Sequence, residues 1–85
     1  MAENKITSDF TNKATFFYRC AADVALKGNL QTLVVPEIEA QNIMVKNHIA
    51  NIAVSEIRRA IPHTKVLFAV NDGSLAIYKK YISEL

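Results

Sequence analysis

The chain has 85 residues, of which 51% are hydrophobic, with only two glycines and two prolines, a composition typical of one folded domain and not of a disordered chain. The formal net charge of +2 lacks the basic excess of a dedicated nucleic-acid-binding protein. One cysteine excludes a disulfide within the chain, and with neither a membrane-spanning run nor a signal peptide the sequence predicts a cytoplasmic protein.

The first predicted element is a helix that begins near residue 9, after the capping oxygens of Ser8 and Asp9, and ends at Lys27. Gly28 is expected to close its last turn in the left-handed conformation. Spacing at 100° per residue predicts an apolar face. This face consists of Phe10, Ala14, Phe17, Tyr18, Ala21, Val24 and Ala25.

Two residues of this helix need separate interpretation. Phe16 projects among polar residues, so it is either an interface residue or an exposed ring. Cys20 lies at the edge of the apolar face, and no neighbouring histidine is available to generate a thiolate. We therefore expect Cys20 to be a packed thiol and not a nucleophile.

A β-rich run over residues 30–35 ends at Pro36, which suits the first turn of a helix, so a long helix is predicted over residues 37–61. Its apolar residues form two stripes that together cover about 200° of the helix, twice the arc of an ordinary surface helix. The first stripe is Ile38, Val45, Ile49, Ile52, Ala53 and Ala60. The second is Ile43, Ala50, Val54, Ile57 and Ile61.

A second β-rich run over residues 65–70 is almost continuously apolar, which predicts a strand buried on both faces. The turn signal at residues 71–73 leads either into a helix that Ser74 caps or into a strand over residues 74–78. The helix is favoured, because Leu75, Ile77, Tyr78, Tyr81, Ile82 and Leu85 then share one side.

These elements predict a small α/β domain over residues 9–85, in the order α-β-α-β-α, which follows a flexible N-terminus of residues 1–8. Two parallel strands alone make a poor sheet, and the long helix carries more apolar surface than the other elements can cover. We therefore expect a homo-oligomer that completes or covers the sheet. The expected interface residues are Ile43, Ala50, Val54, Ile57, Ile61 and Phe16.

The titratable residues have structural explanations, so no catalytic residue, metal ligand or cofactor is predicted. His48 and His63 lack metal-ligand spacing and are expected to be solvated or hydrogen-bonded. Asp9, Glu37 and Glu39 are expected in the first turns of helices, where they complement the helix dipole. Glu56 lies inside the first apolar stripe of the long helix. A carboxylate among apolar residues needs a cation or hydrogen-bond donors, so Glu56 is expected in a salt bridge at an interface rim.

The densest basic group in the sequence comprises Arg58, Arg59, His63 and Lys65, and Lys79 and Lys80 join it if the C-terminal helix folds back. Arginine matches the geometry of phosphate and carboxylate, so this group is where an anionic ligand or an acidic protein surface would bind. Its simpler interpretation is a solvated helix end stabilised by the helix dipole.

Taken together, the pattern favours a non-enzymatic, self-associating protein that acts by binding another macromolecule, as an inhibitor or regulatory accessory factor does. The alternative is a protein that binds a phosphate-bearing ligand, nucleic acid or nucleotide, through the basic group. Short chains of this kind are frequent among phage and mobile-element accessory proteins, although composition does not establish such an origin.

Overall fold

The computed structural model describes residues 7–84, which form a small α/β domain in the predicted order α-β-α-β-α. The sheet is incomplete, because it contains two strands. The elements are α1 (Ser8–Lys27), β1 (Thr32–Pro36), α2 (Ile43–Ala60), β2 (Lys65–Ala69) and α3 (Asp72–Ser83). The predicted fold class is therefore confirmed.

Helix α1 begins and ends within a residue of its predicted bounds, but its caps differ. The Thr7 hydroxyl accepts a hydrogen bond from the Phe10 N–H at 3.0 Å, so Thr7 is the cap. Gly28 has a φ of −81°, and the left-handed residue is Asn29 with a φ of 53°. Asparagine tolerates this conformation better than most side chains. The flexible N-terminus predicted for residues 1–8 lies, for residues 1–6, outside the described residues.

The buried face of α1 is rotated from the predicted one. Phe17 and Val24 are exposed, whereas Ala22 is buried with Ala14, Tyr18 and Ala25. Periodicity cannot show which neighbouring element covers a helix flank, so it located the face only approximately.

Helix α2 begins at Ile43, so the prediction of a helix directly after Pro36 is wrong. The Glu37 N–H donates to the Ala69 carbonyl at 3.2 Å, which extends the strand pairing past Pro36. The Asn42 side chain then accepts from the N–H of Met44 at 2.8 Å and caps the helix. Residues 37–42 therefore form a connection, and Glu37 and Glu39 do not lie in a helical turn.

β1 and β2 pair in parallel, and the register places Thr32 opposite Lys65 and Val35 opposite Phe68. The prediction that the β2 run is buried on both faces is wrong, since its residues alternate between exposed and half-buried. Alternation of this kind is expected of a sheet with a packed layer on one face only.

The helices form that layer, with α2 in contact with α1 on one side and α3 on the other. Thr11 Oγ1 lies 2.8 Å from His48 Nε2, and Arg19 Nε lies 2.8 Å from Glu56 Oε1. Both pairs are 37 positions apart in sequence, so α1 and α2 run parallel and in register. The start of α3 lies beside that of α2, because a Cβ at Gly73 would be 3.2 Å from Lys46 Nζ.

The C-terminal segment is a helix, as the sequence favoured, but its cap residue is Asn71 and not Ser74. Ser74 is instead buried in the first turn of α3, on the same side as Tyr78. Leu85, predicted on the apolar side of this helix, lies outside the described residues.

Candidate interaction surface

The sheet has one face against the helices and one face that no described residue covers. Val35 is fully buried on the helix side, and Leu33, Val66 and Phe68 are half-buried and packed against the core. All six residues of the opposite face are exposed. We call this set the open face: Thr32, Val34 and Pro36 of β1 with Lys65, Leu67 and Ala69 of β2.

The open face is apolar at its centre and polar at one end. The register pairs Val34, which is 60% exposed, directly with Leu67, which is 48% exposed. Pro36 pairs with Ala69 on one side of them, and Thr32 pairs with Lys65 on the other. Parallel sheets occur almost only with both faces covered. The uncovered apolar pair at the centre of this sheet is therefore a candidate interaction surface.

Both edges of the sheet also lack a paired strand among the described residues. The Lys65 N–H donates to the Gln31 carbonyl at 3.1 Å. The backbone N–H and C=O groups of the odd-numbered residues in each strand therefore point towards the other strand. The backbone groups of the even-numbered residues consequently face outward. They belong to Thr32, Val34 and Pro36 at the β1 edge and to Val66 and Phe68 at the β2 edge.

A buried polar cluster lies near the end of β1. The Tyr18 hydroxyl donates to the Pro36 carbonyl at 3.2 Å, whereas the hydroxyls of Ser74 and Tyr78 are buried without a partner among the described residues. Burial raises the pKa of Tyr18. Burial, together with the neighbouring Tyr18, also raises the pKa of Tyr78. Neutral phenols held this way are structural and offer no base at neutral pH.

The residues predicted at an oligomer interface separate into two groups. Ala50, Val54, Ile57 and Ile61 are buried inside the chain itself, so the expectation that a second subunit covers this stripe is corrected for these four. The core formed with α1, α3 and β1 is sufficient to enclose them. Ile43 and Phe16 are exposed, the latter at 69%.

The predicted basic group is spread over three elements. Arg58 and Arg59 are in the last turn of α2, His63 and Lys65 follow it, and all four residues are exposed. The remaining members, Lys79 and Lys80, are exposed on α3. Arg59 Nη1 lies 3.7 Å from Glu56 Oε2, and Lys80 Nζ lies 5.5 Å from the centre of the Tyr81 ring. The cleft beside Arg59 is lined by no other member of this group.

Other candidate residues have local explanations. Glu56 has a side chain only 15% exposed and pairs with Arg19 at 2.8 Å, so its salt bridge lies within the chain between α1 and α2. This pair and Arg59 border a cleft of about 260 Å³. His48 is hydrogen-bonded to Thr11, as expected for a structural histidine. Cys20 is exposed, so the prediction of a packed thiol is wrong.

The sequence prediction missed the open face because the β2 run, Val66 to Val70, contains no polar residue that would mark an outward face. The one available signal was Lys65, which shares a face with Leu67 in a strand of period two. Val34 lies beside Val35 and is indistinguishable from it by composition alone.

Within residues 7–84, no group of three or more histidine, cysteine, aspartate or glutamate side chains could hold a metal ion. No helix in the same part of the chain has the length and apolar character needed to cross a membrane. Comparison with protein-family models, with curated proteins and with solved structures found no match to this chain.

Proposed function

We propose that this chain is a small non-enzymatic protein that self-associates through the open face of its sheet and acts by binding another macromolecule, as an inhibitor or regulatory accessory factor. The observation that carries the proposal is the exposed pair Val34 and Leu67 at the centre of a parallel sheet. A second copy that packs its own open face on this one gives both sheets the covered faces that parallel sheets require.

Self-association of this kind fits the size of the chain and the layout of the face. A domain of 85 residues buries a small fraction of its surface compared with larger domains and gains stability from association. Lys65 and Thr32 give the apolar centre a polar border at one end, and the rims of protein interfaces are polar as well. The helices lie on the far side of each sheet and do not obstruct this contact.

The test is the absolute mass of the purified chain by light scattering across a dilution series. The wild type is expected at twice the chain mass or more, and Leu67→Lys is expected at the mass of one chain because it buries a charge at the centre of the contact. Phe16→Lys is the matched control, since Phe16 is also exposed and lies on α1. A monomeric wild type, or equal masses for the two variants, contradicts self-association through the open face.

A further inference from the structure

The side of α1 that points away from the rest of the domain carries an evenly spaced row of exposed residues. The six residues of the row follow one another at alternating steps of four and three positions, which keeps their side chains in line along one side of a helix. All six are exposed, including Phe16 at 69%. We call this set the outer row: Asp9, Lys13, Phe16, Cys20, Asp23 and Lys27.

The outer row lies opposite the packed side of α1. The buried residues of this helix are Ala14, Tyr18, Ala22 and Ala25. At about 100° per residue, the middle of the outer row is roughly half a turn away from the middle of this buried set. The buried side faces α2 and β1, so the described elements lie behind α1 and leave the outer row open to a second helix.

Each end of the outer row carries an ion pair, and both pairs have the same order of charges along the helix. Asp9 precedes Lys13, and the carboxylate and ammonium groups lie 3.1 Å apart. Asp23 precedes Lys27 at the other end, with the same distance between the two groups. More than half of each of these four side chains is exposed, so their charges are accessible to a second chain.

The middle of the outer row is apolar. Phe16 and Cys20 lie between the two ion pairs. Phe17 and Val24, which are 41% and 62% exposed, flank the row on one side. An exposed apolar patch with charged residues at both ends is typical of a protein contact.

The order of the charges selects a second copy of this chain as the occupant. Two copies of α1 can lie antiparallel about a two-fold axis through the middle of the row. Asp9 then faces Lys27 of the other copy, Lys13 faces Asp23, and the two apolar middles meet. If the copies lay parallel, each residue would meet its own equivalent, and like charges would oppose one another at all four positions.

We propose that the outer row is a second contact between copies of this chain, in which α1 of one copy packs antiparallel on α1 of another. The contact does not involve the sheet, so it goes beyond the open-face contact and joins pairs formed there into larger assemblies. Each copy contributes few apolar side chains, and exposed ion pairs add little to affinity. The contact is therefore weak and is expected to form above about 100 μM.

The experiment measures association at millimolar concentration by sedimentation equilibrium, with Leu67→Lys in every chain to disable the open face. A basic variant carries Asp9→Lys and Asp23→Lys, and an acidic variant carries Lys13→Glu and Lys27→Glu. Each variant alone is expected to associate at least about tenfold more weakly than the Leu67→Lys parent, because like charges meet at all four facing positions. An equal mixture of the two is expected to associate at least as tightly as the parent, since opposite charges face one another again.

Matched variants show that the row itself is responsible. The Glu39→Lys, Glu84→Lys double variant has the same net charge as the basic variant, but its changes lie outside α1, so it is expected to associate as the parent does. Phe16→Ala is expected to weaken association about tenfold. Leu26→Ala changes a residue that is 65% exposed on another side of α1 and is expected to have no effect. Circular dichroism establishes that each variant is folded.

The proposal is overturned if the Leu67→Lys parent is monomeric at millimolar concentration and low salt, if the basic variant associates as tightly as the parent, or if mixing the two charge variants does not restore association. Failure of the open-face contact is a separate outcome, because it is read from the mass of the wild type at low concentration. A wild type that is monomeric there, with a Leu67→Lys parent that still associates through α1, would contradict only the open-face contact.

Discussion

The two faces of the sheet are built from the same two strands and have opposite surroundings. On the helix side, Val35 is fully buried and Phe68 packs against Tyr78. On the open face, their sequence neighbours Val34 and Leu67 are equally apolar and exposed. Burial in this sheet is therefore decided by which face meets the helices and not by the hydrophobicity of the residue. An apolar residue left on the uncovered face is available for a contact with another chain.

A buried charge gives the largest expected contrast between the two environments. Val54→Glu is expected to unfold the chain, because Val54 is 1% exposed in the core and an unpaired buried carboxylate costs several kcal/mol. Leu67→Glu on the open face is expected to remain folded. Circular dichroism with thermal melting measures both. A folded Val54→Glu variant, or an unfolded Leu67→Glu variant, breaks the distinction.

Loss of two methyl groups gives a smaller and more quantitative contrast. Val35→Ala is expected to lower the free energy of unfolding by about 2 kcal/mol, since it removes buried apolar volume. Val34→Ala, measured at a dilution where the protein is monomeric, is expected to change it by less than about 0.5 kcal/mol. Urea denaturation of both variants gives the two values, and equal losses would contradict the assignment of the faces.

The two buried tyrosines on the helix side, Tyr18 and Tyr78, differ in what loss of the hydroxyl group should cost. Tyr18→Phe is expected to destabilise the chain by about 1 kcal/mol, because the Pro36 carbonyl loses its donor. Tyr78→Phe is expected to cost less than Tyr18→Phe, because the Tyr78 hydroxyl lies beside that of Tyr18 but makes no hydrogen bond of good geometry with the described residues. Urea denaturation separates the two, and a large loss in Tyr78→Phe would show that its hydroxyl is hydrogen-bonded.

The smallest expected effect is a loss of stability at alkaline pH. Burial raises the pKa of Tyr18 and of Tyr78 above that of tyrosine in an unfolded chain, about 10. Above that pH the unfolded chain loses these protons first, so the folded state loses stability as the pH rises. The free energy of unfolding is expected to fall above about pH 10 in the wild type. The Tyr18→Phe, Tyr78→Phe double variant should show a shallower fall, and an identical pH profile would contradict the burial of the two phenols.

Helical periodicity predicted the elements of this fold because it depends on local spacing. The apolar spacing of the three helices and the β-rich runs of the two strands were sufficient to place five elements in order. The start of α2 could not be predicted, because Glu37 pairs with Ala69, a residue 32 positions later in the chain. Long-range backbone pairing of this kind overrides the local preference of Pro36 for a helix start.

The candidate interaction surface was harder to predict because it depends on which elements pack against each helix and strand. The wide apolar arc of α2 indicated a second subunit, yet α1 and α3 flank this helix and its second stripe is largely enclosed within the chain. The uncovered apolar residues lie in the sheet instead, where Val34 and Leu67 carry no sequence signal that separates them from Val35 and Phe68. Counting the layers packed on each face of the strands locates these residues, and periodicity does not.

The most direct test of the open face as a contact between copies is an isotope-filtered NMR experiment on an equal mixture of carbon-13-labelled and unlabelled chains. Stacked sheets bring their facing side chains into van der Waals contact. We expect NOEs between chains from the methyl groups of Val34 and Leu67 to each other and to Ala69. NOEs between chains that involve Ile43 or Phe16 and omit Val34 and Leu67, or an absence of such NOEs at millimolar concentration, would contradict the account.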